Sequence, residues 1–327
     1  MYIRLLTGIV VKEVEYIMIS FENVSKFILS DVSIHIPEGI TLGLIGATGS
    51  GKTTFVKLCC GLLEADRSER EYKKRGRVYV MGHEPVLMAG KRVFDIGVLF
   101  ADIPLFNAEG SILDNYDNLR HIYRLNKKYF DDEYERISRE LDFKELKDYK
   151  VSELSLGQRR RAELGAVLIH NPRLLILDEP SIGLDQNGKN VLRRLIKERA
   201  KAGLTTIVTS HDMADITEVC DRICILDKGS ICYYGSKELL LKKYAPIDVM
   251  NITLIDKMPD IQDLPVKSYC IEGELLKLIY NSNHITSAEI LKVILQQVPI
   301  REVSIHKPDL TDVIMRIERG ITDEQFY

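Results

Sequence analysis

Apolar and polar positions alternate in short runs over the first part of the chain, a pattern typical of half-buried β-strands. Runs of this kind occupy residues 19–24, 32–36 and 41–45. A glycine-rich turn follows the third run, and residues 52–63 then carry helical spacing. The pattern therefore predicts a strand, a glycine-rich turn and a helix in direct succession.

Helical periodicity returns at residues 111–125 and 131–146, which predicts a mostly α-helical insertion over about residues 104–158. Strand and helix patterns alternate beyond it. The predicted strands are residues 174–177, 205–209 and 222–226, and the predicted helices are residues 187–200 and 213–219. A turn at residues 228–229 then leads to an edge hairpin at residues 231–234. This alternation predicts the α/β class, with a parallel sheet covered by helices.

The pattern changes after Pro246. Strands are predicted at residues 251–255 and 269–280, followed by a helix at residues 287–297, a final strand and a final helix. We therefore predict a large α/β domain at residues 18–245 and a small α+β domain at residues 246–327. Because Met18 opens the first convincing strand, residues 1–17 are interpreted as an N-terminal extension or a misassigned start.

Composition narrows the classes of function. A chain of 327 residues with 45% hydrophobic content can form two cores, and its net charge of -3 gives no basic field, so no nucleic-acid partner is expected. The charged residues 64–77 are interpreted as a solvated loop, with a nucleic-acid patch as the alternative. No apolar run of 18 residues occurs, so no membrane span is predicted.

The six cysteines lack CxxC spacing, and we interpret them as reduced core thiols of a cytosolic protein. Cys220 and Cys224 would form a metal pair only on a helix. Residues 222–226 have a strand pattern, which argues against that pair.

The glycine-rich turn fits the phosphate-loop pattern GxxxxGK[ST]. Its residues are Gly46, Ala47, Thr48, Gly49, Ser50, Gly51, Lys52 and Thr53, and Thr54 follows. Glycines let successive N–H groups point into one concavity at a helix N-terminus, where phosphate binds. We predict that Lys52 reaches the β and γ phosphates of a nucleotide and that the Thr53 hydroxyl binds Mg²⁺. A simple glycine-rich turn is the alternative, but it does not explain the Lys-Thr-Thr that follows.

A second candidate constellation ends the apolar run at residues 174–177, where Asp178 and Glu179 follow directly. The run predicts a buried parallel strand, and ligands bind at the carboxyl ends of such strands. Asp178 is predicted to hold the Mg²⁺ shell and Glu179 to act as general base toward water. The alternative is that both acids cap the next helix.

The sequence LSLGQ at residues 154–158 lies between these two motifs, and it resembles the signature of the ABC ATPases. The order of motifs from residue 19 to about residue 241 looks like one such domain. The resemblance implies a P-loop fold with a parallel-sheet core, an antiparallel β subdomain and an α-helical subdomain. It also implies that Ser155, Gly157 and Gln158 bind ATP held by the opposite subunit, at the N-terminus of a helix over residues 158–169. Ser155 can cap that helix. Taken alone, the motif is a capped helix start with a basic turn.

The same resemblance assigns three further residues. Asp185 matches the D-loop across the dimer, and His211 matches the switch histidine that contacts the γ-phosphate or positions the water. Phe27 occupies the place of the aromatic residue that stacks on adenine. A phenylalanine in the core is the alternative for Phe27.

One position departs from the family pattern. After Phe100 the family has a glutamine that links Mg²⁺ and water to the transporter interface, but Ala101 stands here. The next residue, Asp102, is the candidate replacement as a metal ligand. The substitution bears on the hydrolysis rate of this subunit and on how it senses its partner.

The resemblance further implies ATP and Mg²⁺ as cofactors and hydrolysis coupled to transport. The implied partners are a second ATP-binding subunit, in a homodimer or a heterodimer, and a separately encoded membrane permease, with this subunit at the cytoplasmic face of the membrane.

Residues 285–313 resemble the C-terminal extension of the bacterial export-type branch. A regulatory role is one interpretation of this tail, and the alternative is that it only packs against the sheet edge or steadies the dimer. Residues 103–108 are the candidate groove for a cytoplasmic helix of the permease, with helical-subdomain packing as the alternative. The rival functions are a soluble ABC-type ATPase acting on ribosomes or DNA and a weakly hydrolytic, nucleotide-gated regulatory subunit.

Overall fold

The computed structural model describes residues 16–66, 76–88, 94–210, 212–244, 247–255, 258–261, 264–307 and 310–319. The chain divides into two compact units, Met1–Tyr234 and Gly235–Tyr327. This division precedes the boundary predicted after residue 245. The helix Lys237–Tyr244 explains the difference, because it packs against the last helix, Leu310–Arg319. Nearly all of the predicted extension, residues 1–17, lies outside the described residues.

The first unit contains a three-stranded sheet and a six-stranded sheet with helices around them. In chain order, its elements are β1 (Ile17–Lys26), β2 (Leu29–Pro37), β3 (Thr41–Ile45), α1 (Lys52–Cys59), β4 (Arg77–Val80), β5 (Ile96–Leu99), α2 (Ile112–Ile122), α3 (Lys127–Glu140), α4 (Leu156–Leu168), β6 (Leu174–Asp178), α5 (Gln186–Lys201), β7 (Thr205–Thr209), α6 (Met213–Val219), β8 (Arg222–Asp227) and β9 (Ser230–Ser236).

The smaller sheet has the order β2-β1-β4, with both pairs antiparallel. The larger sheet has the order β5-β6-β7-β3-β8-β9, and its pairs from β5 to β8 are parallel. Every residue of β3, β6 and β7 is buried. Strands without an exposed face are typical of a parallel sheet covered on both sides. The predicted α/β fold, with a parallel core, an antiparallel sheet and helices, is confirmed.

Helix α4 begins at Leu156, slightly earlier than predicted, and is buried almost all around from Arg160 onward. It packs against β5 on one side and against α2 and α3 on another. The buried Tyr116 hydroxyl of α2 donates a hydrogen bond to the Ala162 carbonyl oxygen over 2.8 Å. Gly165 leaves the room for this contact, since a Cβ there would lie 2.4 Å from the Tyr116 hydroxyl.

Several helices are shorter than predicted, among them α1 and α3. Helix α3 ends at Glu140, because Asp142 adopts a left-handed conformation with φ of 55°, and only a short 3₁₀ turn follows at Lys144–Leu146. Helix α1 ends at Cys59, before the left-handed Gly61 with φ of 72°. A left-handed residue ends the repeating α-helical hydrogen bonds, as at many helix C-termini.

The second unit contains a four-stranded antiparallel sheet with the order β11-β12-β10-β13. Its elements are α7 (Lys237–Tyr244), β10 (Ile247–Leu254), β11 (Val266–Glu272), β12 (Leu275–Asn281), α8 (Ser287–Leu295), β13 (Ile300–His306) and α9 (Leu310–Arg319). The single strand predicted at residues 269–280 is instead the β11–β12 hairpin. The turn forms at Gly273, whose φ of 64° suits glycine.

All six cysteines are free. The interpretation as core thiols is wrong for Cys232 and Cys270, which are exposed. Cys224 lies in β8, as the strand pattern predicted.

Within the described residues, no three histidine, cysteine or acidic side chains are grouped as a metal cluster requires. Among the helices of these residues, none is both long and apolar enough to span a bilayer.

The packing at Gly165 gives a testable stability prediction. Glycine to alanine normally stabilises a helix by about 1 kcal/mol. Here we expect Gly165→Ala to destabilise the protein by about 1–3 kcal/mol, because the new methyl group overlaps Tyr116. Urea denaturation of the wild type and the variant measures the change.

The double variant Tyr116→Phe/Gly165→Ala is the matched control. Removing the hydroxyl relieves the closest contact and leaves the one with Ile137 at 2.6 Å, so Gly165→Ala should still destabilise the Tyr116→Phe protein, but by less than it destabilises the wild type. A stabilised Gly165→Ala protein would show that the helix is not closely packed here.

Candidate functional site

The phosphate-loop sequence forms the turn between β3 and α1. Gly46 has a φ of 155°, and a Cβ at this position would lie 2.2 Å from the Leu226 carbonyl oxygen. Only glycine fits so close to the end of β8. The Lys52 Nζ donates hydrogen bonds to the carbonyl oxygens of Gly46 at 2.6 Å and Ala47 at 3.2 Å. The lysine amino group therefore lies within the curve of the loop.

The loop leads directly into the first turn of α1. Gly51 occupies the N-cap with a φ of 113° and offers no side chain to cap the helix. The first N–H groups of a helix have no carbonyl partners within the helix, because no helical turn precedes them. Together with the helix dipole they favour an anion. The local structure is therefore one that binds phosphate groups.

A cavity of about 340 Å³ opens beside this loop. It is lined by Ile28, Thr48, Gly49, Gly51, Lys52, Thr53, Thr54, Ala101, Asp178 and Glu179. The structure thus brings the loop together with the two acids after the buried strand, as the sequence predicted. Gly46, Ala47 and Ser50 complete the loop without lining the cavity. Ile28 was missed, although it follows Phe27 directly in the chain.

Asp178 ends β6 opposite Thr209 at the end of the parallel strand β7. Its carboxylate is buried and accepts a hydrogen bond of 2.6 Å from the Thr209 hydroxyl. This bond fixes the orientation of the carboxylate. Sequence reasoning missed Thr209, whose signal was its place as the last residue of a predicted strand.

The lining suits Mg²⁺. This ion typically takes one or two carboxylates together with substrate phosphates and water. Asp178 supplies a carboxylate and Thr53 a hydroxyl to the same cavity. These two residues would hold the ion.

Glu179 has an unusual backbone conformation, with a φ of 48°. A left-handed residue that is not glycine costs about 1–3 kcal/mol unless its surroundings hold it. Its N–H donates to the Thr209 carbonyl oxygen at 3.2 Å and to the Thr209 hydroxyl at 3.0 Å. Thr209 therefore holds both acids. Its hydroxyl donates to the Asp178 carboxylate, and the Glu179 N–H donates to its hydroxyl and carbonyl oxygens.

Arg160 of α4 approaches the same segment from the other side. Its guanidinium donates to the carbonyl oxygens of Phe100 at 2.8 Å, Asp178 at 2.9 Å and Glu179 at 3.2 Å. Only 5% of the residue is exposed, and burial lowers the pKa of its guanidinium. Sequence reasoning placed Arg160 in a basic turn and missed these contacts.

The signature residues lie at the start of α4 and do not line the cavity. The Ser155 hydroxyl accepts from the Gln158 N–H at 3.2 Å, and the Gln158 side chain accepts from the Ser155 N–H at 2.9 Å. The predicted Ser155 cap is thus confirmed as a reciprocal capping box. A Cβ on Gly157 would lie 2.5 Å from the Gly183 carbonyl oxygen, so glycine is required there as well.

Asp185 also lies away from the cavity, at the N-cap of α5. Its carboxylate accepts from the Gly188 N–H at 2.8 Å and from Arg161 at 2.6 Å. The Gly188 hydrogen bond, followed by the Arg161 contact, lowers the pKa of this carboxyl. Asp185 therefore connects the N-terminus of α5 to α4.

Two further predicted residues, Phe27 and Asp102, do not line this cavity. Phe27 is 75% exposed in the turn between β1 and β2, so the alternative of a core phenylalanine is wrong. Asp102 lines a second cavity of about 150 Å³ beside Arg159 and Ile182, and not the cavity that contains Asp178. The structure therefore gives no support to Asp102 as a metal ligand. His211 lies outside the described residues.

Known proteins resemble this chain in sequence. The ABC transporter family profile matches residues 29–182. The ABC transporter ATP-binding protein MJ1023 of Methanocaldococcus jannaschii is 31% identical over 238 residues, which cover 71% of this chain and 83% of the relative. The ATP-binding protein YdbJ of Bacillus subtilis is also 31% identical, over 208 residues, but the match spans 63% of this chain and 64% of YdbJ, less than two thirds of its length.

Solved structures agree in fold. A structure described as the ATP binding subunit of an ABC transporter superposes with a TM-score of 0.62 at 20% identity, covering 69% of this chain and 93% of the other. At that identity the comparison establishes the fold, and the sequence matches establish the family. The chain belongs to the ABC transporter ATP-binding proteins.

Proposed function

We propose that this chain is the ATP-hydrolysing subunit of an ABC exporter and powers a separately encoded membrane permease. One observation carries the proposal: a single cavity is lined by Lys52 and Thr53 of the phosphate loop and by Asp178 and Glu179 of β6 and its end. A cation, a hydroxyl, a metal-binding carboxylate and a general base are the groups that phosphoryl transfer to water requires.

Each side chain has a distinct role in this proposal. Lys52 moves from the loop carbonyls to the β and γ phosphates, and the N–H groups of the loop and of α1 hold the remaining phosphate oxygens. Thr53 and Asp178 hold Mg²⁺, which when bound spreads the negative charge of the phosphates. Glu179 accepts the proton of the attacking water as general base.

A second subunit completes the site. Ser155, Gly157 and Gln158 lie outside the cavity of their own chain, at an α4 N-terminus that favours an anion. We propose that they contact the γ-phosphate of ATP bound to a partner subunit and that Asp185 lies at the same interface. Since one chain carries both halves of the site, a homodimer is sufficient, and a heterodimer with a related chain is the other arrangement.

Transport is assigned to a permease partner. The subunit would then be peripheral at the cytoplasmic face of the membrane, with residues 103–108 in the groove that receives a permease helix. The export direction rests on the resemblance of residues 285–313 to the C-terminal extension of export-type subunits. Co-purification with a membrane protein from the native host tests the assignment, and recovery of the chain on ribosomes or DNA instead would overturn it.

A weakly hydrolytic regulatory subunit is the second candidate. Ala101 favours it, because this residue lines the phosphate cavity with a methyl group where a glutamine would supply an oxygen for the metal or the water. ATP binding would then control association more than turnover.

The general-base assignment predicts the behaviour of Glu179→Gln. We expect turnover to fall by about 10²-fold or more, because the amide cannot accept the proton, whereas ATP binding is kept. ATP should then hold the variant as a dimer. Phosphate release and size-exclusion chromatography with ATP measure the two effects.

Lys52→Ala is the companion variant, and it should lose ATP binding and the ATP-dependent dimer together. Rapid hydrolysis by Glu179→Gln would refute the assignment of Glu179 as the base.

The Ala101 position gives a second prediction. We expect Ala101→Gln to lower the Mg²⁺ concentration needed for half-maximal hydrolysis, because the new side-chain oxygen enters the cavity that Thr53 and Asp178 line. The turnover rate should rise several-fold, on the order of one ordinary hydrogen bond with a net contribution of about 1 kcal/mol. Phosphate release over a Mg²⁺ titration measures both.

Ala101→Met is the matched control, because methionine is similar in length to glutamine and offers only a weak acceptor. Equal responses of the glutamine and methionine variants would show that filling the cavity, and not the added oxygen, causes the change.

A further inference from the structure

The Arg160 guanidinium connects three parts of the molecule. It extends from α4, two residues after Gln158 of the signature, to the Phe100 carbonyl before Ala101 and to the Asp178 and Glu179 carbonyls after β6. Each acceptor is a main-chain oxygen, so these three contacts hold the backbone and do not involve the carboxylates of Asp178 and Glu179.

We infer that Arg160 is a positioning residue that holds the backbone of the catalytic base Glu179 and the Phe100–Ala101 segment in register with α4. The inference rests on the proposed function, since it assumes Glu179 to be the base. Helix α4, which begins with the signature, thereby sets the geometry of Glu179 in its own subunit. This role is additional to the proposed contact of the signature with ATP bound to the partner.

The Glu179 backbone has particular need of such a contact. With a φ of 48° it lies in a region that a glutamate avoids. Thr209 holds its N–H, while Arg160 and the Ile182 N–H, at 3.3 Å, hold its carbonyl oxygen. Loss of Arg160 would leave the Glu179 carbonyl oxygen with the Ile182 N–H alone of these two donors, and the carboxylate could then move away from the attacking water.

The energetic cost of Arg160 also points to a role. Burying a guanidinium is unfavourable unless its charge is compensated and its donors are satisfied. The nearest carboxylate, that of Glu163, lies 3.6 Å from the guanidinium, which is longer than a close ion pair. The short contacts go to neutral carbonyls instead. An apolar side chain would avoid the cost of burying the charge, but it would deprive the three carbonyl oxygens of this donor.

The contact at Phe100 adds a link to the departure at Ala101. The Ala101 side chain has no polar atom and cannot itself connect this segment to the metal or the water. The carbonyl just before it accepts a hydrogen bond from Arg160, and so a shift of residues 100–104 can reach Glu179 through the guanidinium. Phe100, Asp102 and Pro104 line the second cavity together with Arg160, which places the guanidinium beside this segment.

The test compares Arg160→Gln and Arg160→Lys with Arg199→Gln. Arg199 is a matched control, because it is also a buried arginine, it donates to the Pro172 carbonyl oxygen at 2.8 Å and it has no contact with the cavity lining among those described. Steady-state kinetics give kcat and KM, a fluorescent ATP analogue gives binding affinity, and thermal denaturation gives Tm.

For Arg160→Gln we expect kcat to fall by about 10- to 100-fold, as for a base displaced by about 1 Å, with KM and analogue affinity within about twofold of wild type. Arg160→Lys should recover part of the loss, because its amino group can reach one of the carbonyl oxygens. Arg160→Ala should regain activity when guanidinium ion is added at concentrations that leave Tm unchanged. Arg199→Gln should lower Tm and keep kcat.

The remaining outcomes distinguish a failure of the Arg160 role from a failure of the proposed ATPase function. Equal kcat in Arg160→Gln and wild type, or an equal loss in Arg199→Gln, would overturn the inference while leaving the proposed function intact. So would failure of every Arg160 variant to fold under conditions in which Arg199→Gln folds, since the role would then be structural. If the wild-type protein shows no ATP hydrolysis that is lost in Glu179→Gln, the proposed function is overturned and the inference with it.

Discussion

The parallel pairing of β6 with β7 sets Asp178 opposite Thr209, and the hydrogen bond between their side chains fixes the acid end of the site. The carboxyl ends of parallel strands meet at one edge of a sheet. The phosphate loop after β3 therefore emerges beside the acids after β6, because β7 lies between these two strands and pairs with both. A one-residue change in register would move Asp178 away from Thr209 and turn its side chain to the other face.

Helix α4 connects the site to other parts of the first unit. It is buried among β5, α2 and α3, so nearly every side chain it carries must fit an existing surface. Two consecutive arginines of this helix make different contacts. Arg160 binds backbone oxygens at the site, whereas Arg161 pairs with Asp185 at the start of α5 and with Asp142 after α3. A rigid helix with polar contacts at several places can transmit a displacement without deforming, because close-packed interiors shift as units.

Backbone shape limits the site as strictly as charge does. Gly46 leaves no space for a side chain against the end of β8, and Gly157 leaves none against Gly183. Glu179 keeps a left-handed conformation that costs free energy. These close contacts explain why Gly46 and Gly157 cannot be replaced by other small residues. Thr209 and Arg160 hold the main chain of Glu179, the proposed base, in this conformation.

The sequence by itself determined the buried strands, the phosphate loop and the order of the motifs, because each is a local pattern of apolar spacing, glycine and charge. It also determined that Ala101 stands in place of a glutamine. It could not give the end of α3 or the β11–β12 turn, because left-handed residues at Asp142 and Gly273 interrupt otherwise continuous patterns. Only the tertiary structure decided which side chains meet. Thr209 and Arg160 carry no motif, and their roles arise from strand register and from burial of α4. The same long-range packing assigned Asp102 to a separate cavity, although it is adjacent in sequence to Ala101.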